Sequence, residues 1–403
     1  MGDRRPQGRH LPGLDRPDIP EQPAFRGGRP MPGAVGGGMR PLLTAELRAR
    51  LSESAGRTGP TGAPDRETLT ALRASGLLGT AVPARHGGAG GDAAAVNHVV
   101  EEVAAVNPSV AIIVFQHFAV SARIAEWGTE EQRERWLPKL AGGLWLAASA
   151  WSETGAGAAK RNLASTGARR ADGRWRLDGA KTFATGAGVA DVYLVLVQTD
   201  RPAVTPQGYG ADGQTFFLVE AGTPGLVADP GADLDGMRGS ATGLLALDGC
   251  VVGDTDRIGP VGGAASVIAG VRESGASLGA VSVGIARAAL ELAVRHARER
   301  GLLELPTVRH RLVDLATRLE AARAVVARAG ARDSAQPGLT TLHSKLHAST
   351  AAEEICLDVA RMLGSDGYRA GSRIGGLLAD ARGVAFMGPT NDVCRELVAA
   401  SWR

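Results

Sequence analysis

The chain has 403 residues, 44% of them hydrophobic and 22% charged, so it can hold two or three structural units around a sizeable core. Its 45 Lys and Arg residues nearly balance 42 Asp and Glu residues, and a formal net charge of +3 argues against a nucleic-acid partner. The three cysteines, Cys250, Cys356 and Cys394, are far apart and lack zinc spacing, which favours a reducing compartment. We find no apolar signal-peptide region and expect no run long enough to span a bilayer, so the sequence predicts a cytoplasmic protein without a membrane partner.

The first part of the chain divides into an irregular leader and a helical region. Residues 1–38 are rich in Pro, Gly and Arg and lack hydrophobic periodicity, which predicts a disordered leader or a surface arm. Residues 39–146 carry apolar residues at helical spacing and predict an N-terminal domain made only of helices. Asp92 is placed to cap a long helix, and Thr129 begins a sequence typical of a capping box. Between them lies a very apolar helix that contains His117.

The middle of the chain, residues 147–256, changes to a period of two, which predicts a small β-domain. Trp175 and Leu177 alternate with arginines, so we expect these two side chains on the inner face of a strand. The dipeptide Asp178-Gly179 then predicts a hairpin turn. The pattern therefore indicates a sheet of short strands joined by tight turns.

Residues 257–403 return to a helical pattern, which predicts a C-terminal helical bundle. The long amphipathic stretches lie at 276–300, 308–331, 338–363 and 389–400. His343 and His347 are four residues apart on one of them, a spacing that can hold a metal, but the H-E-x-x-H motif is missing. We therefore predict a solvated or interface face at these histidines, and no metal site.

The densest functional signal lies in residues 149–185, where Ser-Glu-Thr-Gly-Ala-Gly is followed by Lys-Thr-Phe-Ala-Thr. The small residues at 155–157 allow a flat ligand or a phosphate to approach the backbone. Phe183 and Thr185 are two residues apart on a predicted strand and therefore share a face. A ring beside a small hydroxyl suits a planar heteroaromatic cofactor, while an ordinary hairpin with a Gly-rich bend is the alternative. The lone Gly-Ala-Gly lacks the third glycine of a dinucleotide-binding fingerprint, so the sequence does not indicate a nicotinamide cofactor.

This stretch resembles the flavin-binding middle domain of the acyl-CoA dehydrogenase superfamily. The matching residues are Trp151, Ser152 and Glu153 at its V-T-E positions, and Lys181, Phe183 and Thr185 at its K-W/F-T positions. Residues 237–242 are similar to the family's M-G-x-R-G-S-x-T signature. The resemblance extends over about residues 40–403 and implies an α+β fold, with an N-terminal helical domain, a middle β-barrel-like domain and a C-terminal four-helix bundle. It also implies FAD as the cofactor and a homodimer or homotetramer as the assembly.

The resemblance also assigns the residues that bind the cofactor. They are Ser149, Trp151, Ser152, Gly157, Phe183, Ala184, Thr185, Arg300, Arg361, Gly364, Thr390 and Asp392. Arg361 replaces the family's usual glutamine, and its guanidinium could pair with the cofactor pyrophosphate through two hydrogen bonds. Ala158 replaces a serine and Gly275 a substrate-side arginine. These departures point to an atypical member.

The residues expected to move a proton differ most from the family. Residues 377–392 resemble the motif R-D-A-K-x-x-x-I-Y-E-G-T, whose glutamate removes a proton α to a thioester carbonyl, and that position falls on Gly388. Some members carry the glutamate near the start of the first C-terminal helix, and Glu273 lies one residue from that aligned position. His117 lies on a helix that lines the family's pocket. Glu273 and His117 are therefore the candidate bases, with a solvated glutamate and an ordinary core histidine as the alternatives.

Three functions are compatible with these residues. In the first, an atypical FAD-dependent dehydrogenase of a biosynthetic pathway transfers hydride to flavin N5 from a free or carrier-bound acyl group and needs an electron acceptor. If that substrate is a β-keto acid, loss of carbon dioxide makes the enolate and no base is needed. In the second, residues 387–392 resemble those of flavin monooxygenases, which use O2 and a partner flavin reductase. The third is a degenerate protein without activity, and we expect the first. The third conflicts with the retained flavin-side residues, which are Ser152, Phe183, Thr185 and Thr390.

Overall fold

The computed structural model describes residues 42–57, 62–200 and 209–402. The leader predicted at 1–38 lies outside these residues. The described part begins with five helices: α1 (Ala45–Arg57), α2 (Arg66–Ala74), α3 (Ala93–Ala104), α4 (Pro108–Trp127) and α5 (Glu130–Ala141).

Short polar side chains begin four of these helices, because the first turn of a helix leaves backbone N–H groups without partners. The capping residues of α2 to α5 are Asp65, Asp92, Asn107 and Thr129. Asp92 accepts the Ala95 N–H at 2.9 Å, as its position before the helix predicts. Thr129 and Gln132 exchange hydrogen bonds between side chain and backbone, which confirms the predicted capping box.

Helix α4 is long, apolar and central. Among the described residues it is the one helix whose length and hydropathy would allow it to cross a bilayer, so the expectation that no apolar run is long enough was wrong. However, 78% of its apolar window is buried inside the protein. Packing in the core accounts for the apolar composition of α4.

Eight strands follow the helices and form one sheet. They are β1 (Ala147–Ala150), β2 (Thr166–Arg169), β3 (Trp175–Ala184), β4 (Val192–Gln198), β5 (Gln214–Glu220), β6 (Leu226–Asp229), β7 (Gly243–Val252) and β8 (Arg257–Ile258). Their order across the sheet is β6-β7-β3-β2-β4-β5-β8, and β1 pairs with β4 in parallel. Strand β1 thereby enters the sheet directly after the helices and brings Ser149 next to β4.

Both faces of the sheet are buried, against different partners. On one face Val192, Leu194 and Leu196 of β4 pack in a cluster with side chains of α4 and α5. On the other face Tyr193 and Val195 pack in a cluster built almost entirely from the side chains of other strands. A sheet can bury strand side chains against one another in this way only by curling around its own core, as in a barrel.

One predicted turn lies instead inside a strand, opposite a bulge in the neighbouring strand β7. Strand β3 runs from Trp175 to Ala184 and does not turn at Asp178-Gly179. Its register with β7 shifts between Leu177 and Gly179, so one strand carries an extra residue there. Gly179 has φ +132°, and a Cβ at this position would lie 2.6 Å from Ser165 Cα. The glycine therefore permits a close approach of two backbone segments, and the predicted hairpin turn was wrong.

The rest of the chain is helical. Its helices are α6 (Ala264–Glu273), α7 (Gly279–Glu299), α8 (Pro306–Ala331), α9 (Pro337–Met362), α10 (Ser365–Tyr368), α11 (Arg373–Phe386) and α12 (Asn391–Ala399). The four long helices α7, α8, α9 and α11 pack as a bundle. The stretch predicted at 389–400 as the fourth bundle helix forms the shorter α12, which packs on α9 through Cys394 and Val398.

Candidate active site

A cleft of about 550 Å³ lies between α4, the curled sheet and α11. Phe115 and Gln116 line it from α4, and Arg382 lines it from α11. The residues predicted from the sequence that line the cleft are Ser149, Trp151, Ser152, Phe183, Thr185 and Gly388. The structure thus brings the two middle-domain motifs together with the motif around Gly388, although these segments are distant in the chain.

Phe183 is an aromatic side chain presented to the cleft instead of the core. It lies at the end of β3 with φ +52°, and 69% of its surface is exposed. A large exposed ring on a left-handed backbone costs free energy, and such features concentrate at ligand sites. The next residue, Ala184, is buried and anchors the strand beneath it. The ring of Phe183 is therefore available to stack on a planar group in the cleft.

Hydroxyl groups line the same wall. Thr185 Oγ1 and Thr242 Oγ1 are 3.2 Å apart, and both residues line the cleft. Ser240 Oγ lies 2.7 Å from Thr242 Oγ1 and extends the chain of hydroxyls into the protein. Because a hydroxyl both donates and accepts, the direction of this chain can adapt to the group that a ligand presents.

A buried ion pair supports the wall from behind. Lys181 Nζ donates to Glu153 Oε1, and the two side chains are 0% and 3% exposed. Glu153 also accepts the Ala164 N–H and the Ser165 hydroxyl, both at 2.6 Å. Burial lowers the pKa of Lys181 to about 8, although the charge of Glu153 favours the protonated form. Glu153 of the Ser-Glu-Thr-Gly-Ala-Gly segment and Lys181 of the Lys-Thr-Phe-Ala-Thr segment therefore join these two segments behind the cleft wall.

Lys160 is a site residue that the sequence motifs did not reveal. Its Nζ donates to Ser152 Oγ at 2.6 Å, and the side chain lines the cleft although the residue is only 8% exposed. Burial lowers the pKa of Lys160, partly offset by the charge of Glu153. The one signal in the sequence is a cation that closes a run of Gly and Ala residues, three positions after Gly157.

The cleft and the glycine loop that follows Ser152 offer groups that suit the flavin implied by the resemblance. Gly155 and Gly157 do not line the cleft, so the assignment of Gly157 to the cofactor stays a prediction. They have φ +92° and +72°, and a Cβ at either position would meet no atom within 4 Å. Their backbone is therefore open to a phosphate or to the edge of a ring. With the exposed ring of Phe183 and the hydroxyls of Ser152 and Thr185, the wall offers a stacking surface and hydrogen-bonding groups for an isoalloxazine ring.

The loop around Gly388 is held by a lysine from the bundle. Lys345 of α9, 4% exposed, donates from Nζ to the carbonyl oxygens of Met387, at 2.7 Å, and Pro389. Burial lowers the pKa of Lys345 to about 8. A Cβ at Gly388 would lie 2.6 Å from Tyr209 Oη. The space of a side chain at this position is therefore already filled, and the loop offers no base.

His117 is a core residue, and the expectation that it acts as a base was wrong. The ring is 0% exposed, its Nδ1 accepts the Ala147 N–H at 3.2 Å, and its Nε2 lies 3.1 Å from the Leu78 carbonyl oxygen, to which it donates. Both nitrogens are used, and the ring does not line the cleft. Burial lowers the pKa of His117 to about 4, so the imidazole is neutral.

Glu273 also lies outside the cleft, and its proposed role as a base was wrong. Its Oε2 accepts the Gly338 N–H at 3.2 Å, at the start of α9, where a carboxylate complements the helix dipole. Val271, two residues earlier, is the residue of α6 that lines the cleft. Two residues differ by about 200° around a helix, so Glu273 points away from the cleft.

Three further residues predicted to bind the cofactor lie together at the C-terminal ends of α7 and α9. Arg300 pairs with Asp366 of α10 at 2.9 Å, and Arg361 accepts the Gly364 N–H on its carbonyl oxygen at 3.3 Å. The Arg361 guanidinium pairs with Asp358 at 3.2 Å. None of the three predicted residues lines the cleft, and their assignment to the cofactor stays a prediction.

The last two predicted residues belong to the start of α12. Thr390 accepts the Val393 N–H at 3.3 Å and is the N-cap of the helix. Asp392, 92% exposed, pairs with Arg395 at 2.7 Å. Neither side chain lines the cleft, both make local contacts at the end of the Gly388 loop, and their assignment to the cofactor stays a prediction.

The charges around the cleft are mostly positive. Lys160 and Arg382 line it, and Arg382 is exposed and forms no ion pair within the described part of the chain. Asp235 is the one acidic residue that lines the cleft among the described residues, and it is exposed. This arrangement favours a ligand that carries negative charge.

Comparisons with known proteins agree with this geometry. Family models described as acyl-CoA dehydrogenase N-terminal, middle and C-terminal domains match residues 39–144, 148–250 and 262–402. An acyl-CoA dehydrogenase of Bacillus subtilis (strain 168) is 32% identical over 80% of this chain and 86% of its own length. The L-prolyl-(peptidyl-carrier protein) dehydrogenase of Pseudomonas fluorescens is 31% identical over 81% of this chain and 87% of its own length.

A solved structure is similar over nearly the whole fold. The butyryl-CoA dehydrogenase of Megasphaera elsdenii matches with a TM-score of 0.79 at 26% identity, over 89% of this chain and 98% of its own. The expected fold class, with helical, sheet and helical domains in that order, is confirmed. The chain therefore belongs to the acyl-CoA dehydrogenase family, whose members are flavin-dependent oxidoreductases with FAD as their cofactor.

Proposed function

We propose that this oxidoreductase is a biosynthetic tailoring enzyme that oxidises a β-keto acid derived from an acyl group, with loss of carbon dioxide supplying the enolate. The observation that carries the proposal is the cleft wall at Gly388, where Tyr209 leaves no room for a side chain. The one acidic residue lining the cleft within the described chain, Asp235, is exposed at its edge. A reaction that needs no proton abstraction suits such a site.

The proposed chemistry balances without a base. The bond between the carboxylate carbon and the α-carbon breaks, its electron pair becomes the carbon–carbon double bond of the enolate, and carbon dioxide leaves. FAD, when bound, supplies the hydride acceptor for the oxidation of the adjacent carbon. Turnover then needs an electron acceptor, either O2 or a redox protein.

The chain's own residues bind and orient the reactants. Phe183 would pack on the ring of bound FAD, and the hydroxyls of Ser152 and Thr185 would hydrogen-bond to its polar edge. Lys160 and Arg382 attract the negative charge of a keto acid or of a phosphate on a carrier. The prolyl carrier-protein dehydrogenase among the relatives supports a biosynthetic substrate attached to a carrier, although a free or CoA-bound acid would meet the same charges.

The test is anaerobic mixing of the FAD-loaded protein with two sets of compounds. One set contains β-keto acids labelled with ¹³C in the carboxylate, and the other contains saturated acyl-CoA thioesters of matching chain length. We expect the β-keto acids to bleach the flavin absorbance and to release labelled carbon dioxide at the same rate.

The thioesters are the matched control, because they require a base at the α-carbon. Bleaching by thioesters and not by keto acids would overturn the proposal in favour of an ordinary dehydrogenase. A flavin that stays oxidised with both sets, while O2 is consumed once reduced flavin is supplied by a reductase, would make the protein a monooxygenase instead.

A further inference from the structure

Tyr209 presents an unused hydroxyl to the cleft. The residue is 8% exposed, and its ring packs in the cluster that also contains Phe216 and Leu218 of β5. It nevertheless lines the cleft, and its hydroxyl makes no hydrogen bond to another residue in the described part of the chain. The hydroxyl oxygen is open to the cleft, so it is free to donate a hydrogen bond to a group of a ligand there.

Tyr209 and Gly388 occupy one space between them. An ideal Cβ on Gly388 would lie 2.6 Å from Tyr209 Oη and 3.8 Å from Cζ. The second distance is an ordinary contact, whereas the first is shorter than carbon and oxygen atoms tolerate. The clash therefore involves the hydroxyl alone, and the phenol oxygen stands where a side chain of residue 388 would begin.

The hydroxyl is a hydrogen-bond donor and not a base. Burial raises the pKa of Tyr209 well above its ordinary value, so the phenol stays neutral at any physiological pH. Lys345, which holds the Gly388 loop, is already committed to the Met387 and Pro389 carbonyl oxygens. Tyr209 can therefore donate to an oxygen of the ligand while it keeps its own proton.

The charge of the cleft indicates which kind of ligand oxygen Tyr209 binds. Lys160 and Arg382 line the same cleft with positive charge, and a carboxylate side chain at residue 388 is absent. A carboxylate at residue 388 would repel a negatively charged ligand, whereas the neutral phenol of Tyr209 can donate a hydrogen bond to it. A donor hydroxyl in a positively charged cleft thus suits a carboxylate group.

We propose that Tyr209 Oη donates a hydrogen bond to the carboxylate of the substrate, and that this contact selects a keto acid over a neutral acyl compound. The inference rests on the proposed function, because that function supplies a substrate with a carboxylate at the reacting carbon. Because Gly388 has no side chain, the Tyr209 hydroxyl can occupy the space beside it.

The test compares a stable acid with its neutral ester. The probes are 3-hydroxyhexanoate and methyl 3-hydroxyhexanoate, and their binding to the FAD-loaded protein is measured from the perturbation of flavin absorbance. We expect Tyr209→Phe to weaken the acid at least about tenfold, since hydrogen bonds to charged groups are the strong ones, and to change the ester less than threefold. Tyr368→Phe, which removes a hydroxyl from a residue 94% exposed on α10, is the matched control and leaves both affinities unchanged.

A double-mutant cycle ties the effect to the shared space. Gly388→Ala displaces the phenol and should weaken the acid as Tyr209→Phe does, while adding Gly388→Ala to Tyr209→Phe should cost little more, because the clash is with the missing hydroxyl. Thermal unfolding of each variant, with its flavin content, reports whether the fold is intact.

The outcomes separate this inference from the proposed function. Three results would overturn the role of Tyr209. Tyr209→Phe could lower the affinities for acid and ester equally, it could lower neither affinity, or the wild type could fail to bind the acid. Selective loss for the acid supports it even if β-keto acids do not bleach the flavin, in which case the proposed reaction is wrong and the binding contact stands. Bleaching by β-keto acids that is equally fast in Tyr209→Phe leaves the proposed reaction in place and removes Tyr209 from it.

Discussion

At the scale of single residues, the site is made by side chains whose positions are unfavourable for a protein without its ligand. Phe183 is exposed on a left-handed backbone, Tyr209 has an unused hydroxyl, and Lys160 buries an ammonium beside Ser152. The exposed apolar surface of Phe183 and the desolvated charge of Lys160 each cost free energy in isolation, and the Tyr209 hydroxyl is open to a ligand. Their convergence on one cleft indicates that a ligand recovers these costs together.

The role of Phe183 can be tested through cofactor retention. We expect Phe183→Ala to raise the dissociation constant of FAD about tenfold, because stacking on an aromatic ring contributes about 1 kcal/mol beyond the area that it covers. The midpoint of thermal unfolding of the apoprotein should hardly change, since the ring is 69% exposed. Trp402→Ala, which removes another exposed aromatic that does not line the cleft, is the control. Wild-type FAD affinity in Phe183→Ala would remove the ring from the cofactor site.

Removing one charge of the buried pair Lys181–Glu153 should destabilise the protein more than removing both. Lys181→Met leaves the Glu153 carboxylate buried without its counter-ion, and we expect a loss of about 3–5 kcal/mol in the free energy of unfolding. The double variant Glu153→Gln/Lys181→Met should regain most of that loss, because neither charge remains. Denaturant unfolding of both variants measures the difference.

Arg395→Met provides the matched comparison for this pair, because Arg395 belongs to an exposed ion pair with Asp392. Its removal should leave the unfolding midpoint nearly unchanged, since exposed pairs contribute little. If Lys181→Met were equally mild, the buried pair would be a passive neighbour of the cleft and not its support.

At the scale of elements, the sequence predicts what local chemistry determines. The caps at Asp92 and Thr129 follow from side chains that satisfy the N–H groups of a helix start, and both are present. The Asp178-Gly179 turn fails because Gly179 serves a close approach to Ser165 inside a strand, and local sequence does not reveal that contact. The sequence predicts long helical stretches at 276–300, 308–331, 338–363 and 389–400 but not α11, whose three glycines weaken the helical pattern.

In the site too, the sequence predicts what is local in the chain and misses what depends on tertiary contacts. Motifs that are contiguous in the chain, such as the segment with Ser152 and the segment with Phe183, were predicted and line the cleft. Tyr209 was not predicted, because its proximity to Gly388 depends on how the sheet approaches α11. His117 was misassigned because an apolar helix beside a pocket has an inner and an outer face, and only the Leu78 and Ala147 contacts show which face it occupies.

At the scale of the whole molecule, the cleft depends on how three groups of elements are held together. Its walls come from α4, from the curled sheet and from α11 with the loop that follows. Asp380 of α11 accepts the Met237 N–H at 2.6 Å, and so fastens the bundle to the loop before β7. His117 of α4 bonds to the first strand, β1, through Ala147 and to Leu78. These three hydrogen bonds help to hold the elements of the cleft together.

Because His117 is buried in its neutral form, it should make the stability of the whole protein sensitive to acid. The pKa of His117 falls to about 4 in the folded protein from 6.5 in the unfolded chain. Between these values the unfolded chain binds more protons, so the free energy of unfolding falls as the pH is lowered through this window and is unaffected by the group above it. From pH 7 to pH 5 the contribution of this residue alone is about 2 kcal/mol.

His117→Gln removes the titrating group while keeping an amide that can hydrogen-bond. We expect this variant to be less stable than the wild type at pH 7, because a packed ring is lost, and the deficit to shrink by about 2 kcal/mol at pH 5. Denaturant unfolding of both proteins at the two pH values gives the difference directly, and carboxylates that titrate in both cancel. A deficit that is the same at pH 5 and pH 7 would mean that His117 takes up its proton equally in the folded and unfolded states, and that its contacts with Leu78 and Ala147 open in acid before the rest of the fold.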